Sequence, residues 1–162
     1  MVNFLHNITA LAGIATLVNI VDFKEQLLNL NGANWVVGTP VISYRRTAGA
    51  ENQDASGSQF FFDSTFTIQS LANPALFVSY GTALTEAGPV VNSQTVGSTS
   101  KAIVFKMQTV ESGPAVNLID TATGNALTSW ATADAGNSGA PVTMEALSMP
   151  LSFTQSFNIT GV

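Results

Sequence analysis

The sequence predicts an all-β domain assembled from three repeats of about 50 residues each, a period at which self-similarity marks repeat architectures. Three observations carry that expectation. Charged residues make up only 9% of the chain, against roughly a quarter in ordinary domains, and Ser, Thr, Asn, Gly and Ala take their place, which disfavours a charged helical bundle. A Gly-x-Pro-Val element or near variant recurs as Gly38-Thr39-Pro40-Val41, Gly88-Pro89-Val90-Val91 and Gly139-Ala140-Pro141-Val142, with prolines 49 and 52 residues apart. Apolar positions recur at matched distances before and after those prolines.

Residues 1–21 hold no charged side chain. A secretory signal would open on a cationic segment, and a membrane span would need about 20 mainly apolar residues; here Asn3, His6, Asn7, Thr9, Thr16 and Asn19 interrupt the run. Residues 1–15 are therefore expected to be an ordered N-terminal extension, and whether the protein is cytoplasmic or secreted stays open. The tripeptides Asn7-Ile8-Thr9 and Asn158-Ile159-Thr160 fit the N-glycosylation pattern, which matters only in a secreted protein.

The repeats are placed at 16–62, 63–109 and 110–162. Their first strands are Val18-Asn19-Ile20-Val21-Asp22, Phe66-Thr67-Ile68-Gln69 and Val116-Asn117-Leu118-Ile119-Asp120. Ile20, Ile68 and Ile119 each stand eight residues before Leu28, Leu76 and Leu127 of the second strands. Those leucines precede their prolines by 12, 13 and 14 residues, and Phe105 and Phe157 follow theirs by 16. Phe61 follows Pro40 by 21, so the first unit is expected to carry about five extra residues within Thr47–Ser58. Turn chemistry separates the strands at Asn73-Pro74, Thr123-Gly124-Asn125 and 135–139. One such unit cannot bury its apolar face alone, but three of them close a six-stranded barrel capped by three hairpins and leave no open sheet edge. The pattern is thus a single β-trefoil domain over 1–162, with pseudo-threefold symmetry and four strands per repeat. Ile20, Leu28, Phe61, Ile68, Leu76, Phe105, Ile119, Leu127 and Phe157 are its expected core. A seven- or eight-stranded sandwich is the structural alternative, though it leaves the threefold spacing unexplained.

Residue types limit the chemistry. With no Cys and one His, His6, the chain has no disulfide, thiolate site or Cys nucleophile. A His-pair metal site or a Ser-His-Asp triad within one chain is equally unexpected. No cofactor, metal or catalytic residue is predicted. The carboxylate pairs Asp22/Glu25 and Asp134/Glu145 sit in loops and turns, where acids are usually solvated. A net charge of -5, with Arg45-Arg46 the only basic doublet, argues against a nucleic-acid partner and against anionic lipid.

Gly38-Thr39-Pro40-Val41-Ile42-Ser43-Tyr44, followed by Glu51-Asn52-Gln53, resembles the ricin-B-type β-trefoil lectins, in particular their disulfide-free fungal members. The resemblance covers residues 16–162 and is most specific in the first unit. It implies that Gln155-Ser156-Phe157 and Gln59-Phe60-Phe61 are Gln-x-aromatic elements, the aromatic in the core and the Gln tying down a turn; Ile103-Val104-Phe105 lacks the Gln. It further implies that Tyr44 covers the C–H face of a sugar ring while Asn31 or Asn34, in place of the family's usual Asp, and Asn52 fix hydroxyls. The alternative is that Tyr44 and Asn52 only brace a loop. Ser93 and Glu145 occupy the places matching Tyr44, so the other units lack that ring. Trp130 and Asp134 offer a second sugar site of different geometry, or Trp130 is a partly buried hairpin residue. The expected partners are glycans or glycoproteins, without membrane insertion, and homo-oligomerisation is left open. The competing function is a trefoil that blocks a protein partner such as a hydrolase, with the Thr47–Ser58 insertion as its probe.

Overall fold

Alternation at the head of each repeat sets the first strands: Val18, Ile20, Phe66, Ile68, Val116 and Leu118 point into one shared core, while Asn19, Thr67 and Asn117 between them turn to the opposite face of the strand and are buried there. The computed structural model describes residues 16–45, 56–60, 65–70, 73–81, 95–110, 113–131, 139–150 and 152–161. Twelve strands lie among them: β1 Thr16–Val21, β2 Gln26–Leu30, β3 Val41–Arg45, β4 Ser56–Phe60, β5 Thr65–Ser70, β6 Phe77–Tyr80, β7 Thr95–Ser98, β8 Phe105–Thr109, β9 Val116–Asp120, β10 Asn125–Ser129, β11 Ala140–Ala146 and β12 Asn158–Gly161.

Antiparallel pairing runs β1–β4–β5–β8–β9 around a ring, and β12 returns to β1. The last joint, β9 to β12, is a single bridge in which Val116 and Phe157 exchange both backbone hydrogen bonds, at 2.8 and 2.9 Å. That closes the six-stranded barrel. The remaining strands form three hairpins, β2–β3, β6–β7 and β10–β11. The hairpins also hold one another. Ser43 and Ile42 of β3 pair with Ala140 and Pro141 of β11. Gly97 exchanges 2.8 Å bonds with Gly38 and Thr39, and Thr95 Oγ1 donates to Val142 O at 2.8 Å. A barrel capped by a ring of three hairpins is the β-trefoil.

Eight of the nine expected core residues are buried; the ninth, Phe61, lies outside the described residues. Strand register corrects three equivalences. Phe105 and Phe157 stand opposite Phe66 and Val116. In the first unit the pairing of Leu17 with Gly57 carries forward to put Ser56, not Phe61, opposite Val18. Ser56 follows Pro40 by 16 residues, the same distance as in the other units, so the first unit needs no insertion. In the third unit Leu118 rather than Ile119 matches Ile20. In the second, Val78 rather than Leu76 joins the central cluster. Ile119 is buried outside that cluster, because a strand turns successive side chains to opposite faces; Leu76, also buried, precedes β6 and packs toward Gly97.

Gln155 plays the role the resemblance implies. Its amide donates to Ala146 O at 3.0 Å and Thr128 Oγ1 at 3.1 Å, and its oxygen accepts from Ser148 N at 2.9 Å. In the second unit the apolar Ile103 stands in place of the Gln and is buried in the core.

Candidate functional site

The three turns that follow β1, β5 and β9 are built on one plan. Asp22 Oδ1 accepts from the N–H groups of Lys24 (2.8 Å) and Gln26 (3.0 Å), Ser70 Oγ from that of Asn73 (3.3 Å), and Asp120 Oδ1 from that of Ala122 (2.9 Å). Short polar side chains that bond forward to backbone two to four residues on are what such tight turns need. Each turn is then joined to the repeat before it. Ser129 Oγ donates to Asp22 Oδ2 at 2.6 Å. Its 2.9 Å contact with Ser43 Oγ takes its proton from Ser43, since a hydroxyl has one to give. Tyr80 OH donates to Asp120 Oδ2 at 2.7 Å and lies 2.9 Å from Thr123 Oγ1. Asn73 Nδ2 donates to Trp35 O at 3.1 Å.

These bonds shape the acidity of one pair. Burial opposes ionisation of Asp120, yet bonds from Ala122 N–H, Tyr80 and Thr123 outweigh it and hold the carboxyl below its usual value. Burial, then the bond to Asp120 and its charge, push the Tyr80 hydroxyl above its ordinary value, against the lowering influence of the neighbouring Thr123 and Asn125 side chains. Both Asp120 oxygens are thus occupied, and the carboxylate braces the turn. No group of three or more His, Cys, Asp or Glu suited to a metal occurs among the described residues.

The cap presents a continuous outer face between the first and third hairpins. Directly opposed residues of an antiparallel pair share a face. One row therefore runs Asn29, Ile42, Pro141 and, through the 3.1 Å bond from Trp130 N to Pro141 O, Trp130. The next row holds Leu27 and Tyr44, with Gly139 against Tyr44. A Cβ on Gly139 would lie 2.6 Å from Ile42 Cδ1 and 3.3 Å from Tyr44 Cδ2. The floor of this face is closed: Leu27, Asn29 and Ile42 are buried. Its edges are open. Tyr44 is half-buried, and Trp130 is 46% exposed, with its indole N–H spent on Thr143 Oγ1 at 2.8 Å. Two inter-strand spacings and a two-residue step separate the two Cα atoms by roughly 12 Å, and the indole reaches toward Thr143, away from Tyr44.

Tyr44 and Trp130, placed in different units by the sequence, thus share one face. Asn31 and Asn34 do not join them. Tyr44 lies opposite Leu27, whereas Asn31 follows β2 four residues later, about 13 Å along the strand. The ring beside the two amides is Trp35, 45% exposed at the tip of the first hairpin. Sequence reading missed Trp35; its place between Gly32 and Gly38, both at positive φ, was the available cue, because a ring in a glycine-bounded turn has little to pack against. Asn52 and Asp134 lie outside the described residues.

No family model matches the sequence, and no curated protein matches it. Solved structures do match in fold. The Macrolepiota procera ricin B-like lectin in complex with lactose aligns with TM-score 0.65 at 15% identity, covering 93% of this chain and 97% of its own. The Rhizoctonia solani agglutinin aligns with TM-score 0.65 at 16% identity, covering 92% and 96%. A proteinase inhibitor from Coprinopsis cinerea aligns with TM-score 0.59 at 10% identity, covering 92% and 99%. Together with the closed barrel, they establish the β-trefoil fold.

Proposed function

We propose that the protein binds carbohydrate, without transforming it, on the outer face between the first and third hairpins. Trp130 carries this reading. Its N–H is anchored to Thr143 while nearly half its surface stays open, so one flat apolar ring is held ready for the C–H face of a sugar at little entropic cost. Tyr44 supplies a second ring on the same face, for a further unit of an oligosaccharide. Asn52 and Asp134, in the segments that follow Tyr44 and Trp130, supply polar contacts to the hydroxyls, and Trp35 with Asn31 and Asn34 forms a subsidiary contact at the hairpin tip. The lectin neighbours, one of them bound to lactose, support the ligand class. The rival reading, inhibition of a hydrolase, has a neighbour of its own but loses its feature, since the first unit carries no insertion once Ser56 is matched to Phe105 and Phe157.

A glycan array followed by titration of its best hit tests the proposal. Trp130→Ala and Tyr44→Ala should each cost about 1–2 kcal/mol of binding, roughly five- to thirty-fold in affinity, with folding retained. Unchanged affinity in both variants would sink it, and a loss confined to Trp35→Ala would move the site to the hairpin tip.

A further inference from the structure

With no Cys in the chain, the thioethers of its four Met residues are its only sulfur atoms, and the fold separates them sharply. Met144 of β11 is 1% exposed in the core cluster, Met107 of β8 is half-buried against that cluster, and Met149 is 79% exposed. Met1 lies outside the described residues. Met149 is the most exposed large apolar side chain among the described residues, and Phe153, at 65%, is the next. Both stand between β11 and β12, in a stretch from Ala146 to Val162 that holds no charged side chain. This exposure is built rather than frayed. Gln155 accepts from Ser148 N–H at 2.9 Å and donates to Ala146 O at 3.0 Å, which fixes the backbone that enters Met149. Beyond it, Ser152 Oγ accepts from Thr154 N–H at 3.3 Å, and the Phe153 ring meets Phe23 edge-on with centroids 4.8 Å apart. Methionine ordinarily fills gaps in cores; here an ordered segment displays the side chain to water.

We propose that Met149 is a redox modification site, oxidised to the sulfoxide by a peroxide while the chain stays folded. The sulfur attacks one peroxide oxygen: an S–O bond forms, the O–O bond breaks, and the thioether gives up two electrons. The departing hydroxide takes the proton of the transferred oxygen and leaves as water. Access decides the order among the methionines. A peroxide reaches Met149 in the native state, whereas Met144 is reached only when β11 opens, and core strands open at free energies approaching that of global unfolding. The product replaces the most exposed apolar group with a polar one. It faces water, so neither the barrel nor the hairpins are disturbed. A methionine sulfoxide reductase restores the thioether, which makes the change a reversible switch in the polarity of the surface that Met149 shares with Phe153. None of this draws on Tyr44, Trp130 or the carbohydrate reading.

Dilute hydrogen peroxide added to the folded full chain, with peptide mass mapping of each methionine over time, provides the test. Met149 should gain one oxygen about tenfold faster than Met107 and about a hundredfold faster than Met144. In urea the three rates should converge. Met149→Leu, a swap that keeps size and polarity, should leave the rates at Met107 and Met144 as they were. The chain oxidised at Met149 alone should keep its urea midpoint, and methionine sulfoxide reductase should return it to its starting mass without unfolding. Equal rates at Met149 and Met144 in the folded chain would overturn the proposal. So would a urea midpoint that falls when Met149 alone is oxidised, since the sulfur would then belong to the packing, or a sulfoxide that the reductase reaches only in urea.

Discussion

Asp22 and Asp120 occupy equivalent corners of the trefoil, and each accepts backbone N–H groups of its own turn and a hydroxyl from the preceding repeat. They differ in what that hydroxyl belongs to. Asp22 is 2% exposed and its partner Ser129 is fully buried, so the seam between third and first repeats is sealed. Asp120 is 3% exposed, but Tyr80 is 38% exposed and Thr123 is exposed as well, so the seam between second and third repeats ends at solvent. The sealed seam is also where β3 pairs with β11 and where the proposed sugar face lies. One symmetric position thus supports a rigid platform on one side of the molecule and a solvated brace on another, and the side chain that reaches across decides which.

The largest test removes each carboxylate. Asp22→Ala leaves the part-buried Lys24 and Gln26 N–H groups and the buried Ser129 hydroxyl without their acceptor. A loss of about 3 kcal/mol is expected, because buried donors stripped of a charged partner carry their full desolvation cost. Asp120→Ala should cost about half as much, since the Tyr80 and Thr123 hydroxyls can turn to water. Urea denaturation of both variants would check this, and equal losses would erase the distinction between the seams.

Two glycines sharpen the same contrast at smaller scale. Gly139 on the sealed seam and Gly124 in the Asp120 turn hold φ at +71° and +78°. Alanine pays for the left-handed conformation at either place, about 1 kcal/mol. At Gly124 a Cβ meets nothing within 4 Å, whereas at Gly139 it runs into Ile42 and lies 3.1 Å from Ser43 O. Gly139→Ala should therefore lose about 2–3 kcal/mol against about 1 for Gly124→Ala, read as a larger drop in melting temperature. Identical shifts would mean that the sealed seam can give way.

The fold was legible in the sequence because burial repeats. Val18, Phe66 and Val116 recur at equivalent places in the barrel strands β1, β5 and β9, and Pro40 and Pro141 recur at the head of β3 and in β11 of the capping hairpins. Equivalences were misread where burial alone could not choose between neighbours. Ile119 and Leu118 are both buried, one on each face of β9, and only pairing tells them apart. Phe61 was matched to Phe105 because both are Phe, while the register puts Ser56 there. The site was less legible. Tyr44 and Trp130 are 86 residues apart in sequence, and only the β3–β11 ladder brings their faces together. The Asp22 and Asp120 corners showed as similar strings, but their partners Ser129 and Tyr80 carry no motif.

The smallest effect belongs to Tyr80→Phe, and it is the one that pH can resolve. The substitution removes a single donor from Asp120 and keeps the ring, while Ala122 N–H and Thr123 go on serving the carboxylate. With the pair at the solvent edge, a loss of about 0.5–1 kcal/mol at neutral pH is expected. The Asp120 carboxyl titrates lower in the folded chain than in the unfolded one, so what it contributes is complete above the unfolded value of about 4 and disappears as pH falls through the folded one. The Tyr80 hydroxyl titrates higher when folded, so its contribution is present below about pH 10 and is lost as pH rises through the raised value. The stability gap between wild type and Tyr80→Phe should therefore be flat from about pH 5 to 9 and narrow at both ends. Urea midpoints measured from acid to alkaline pH would show it. A gap that stays constant into acid would mean that the Tyr80 hydroxyl acts through a partner other than the Asp120 carboxylate, such as Thr123, and no gap at any pH would mean that Tyr80 acts through its ring alone.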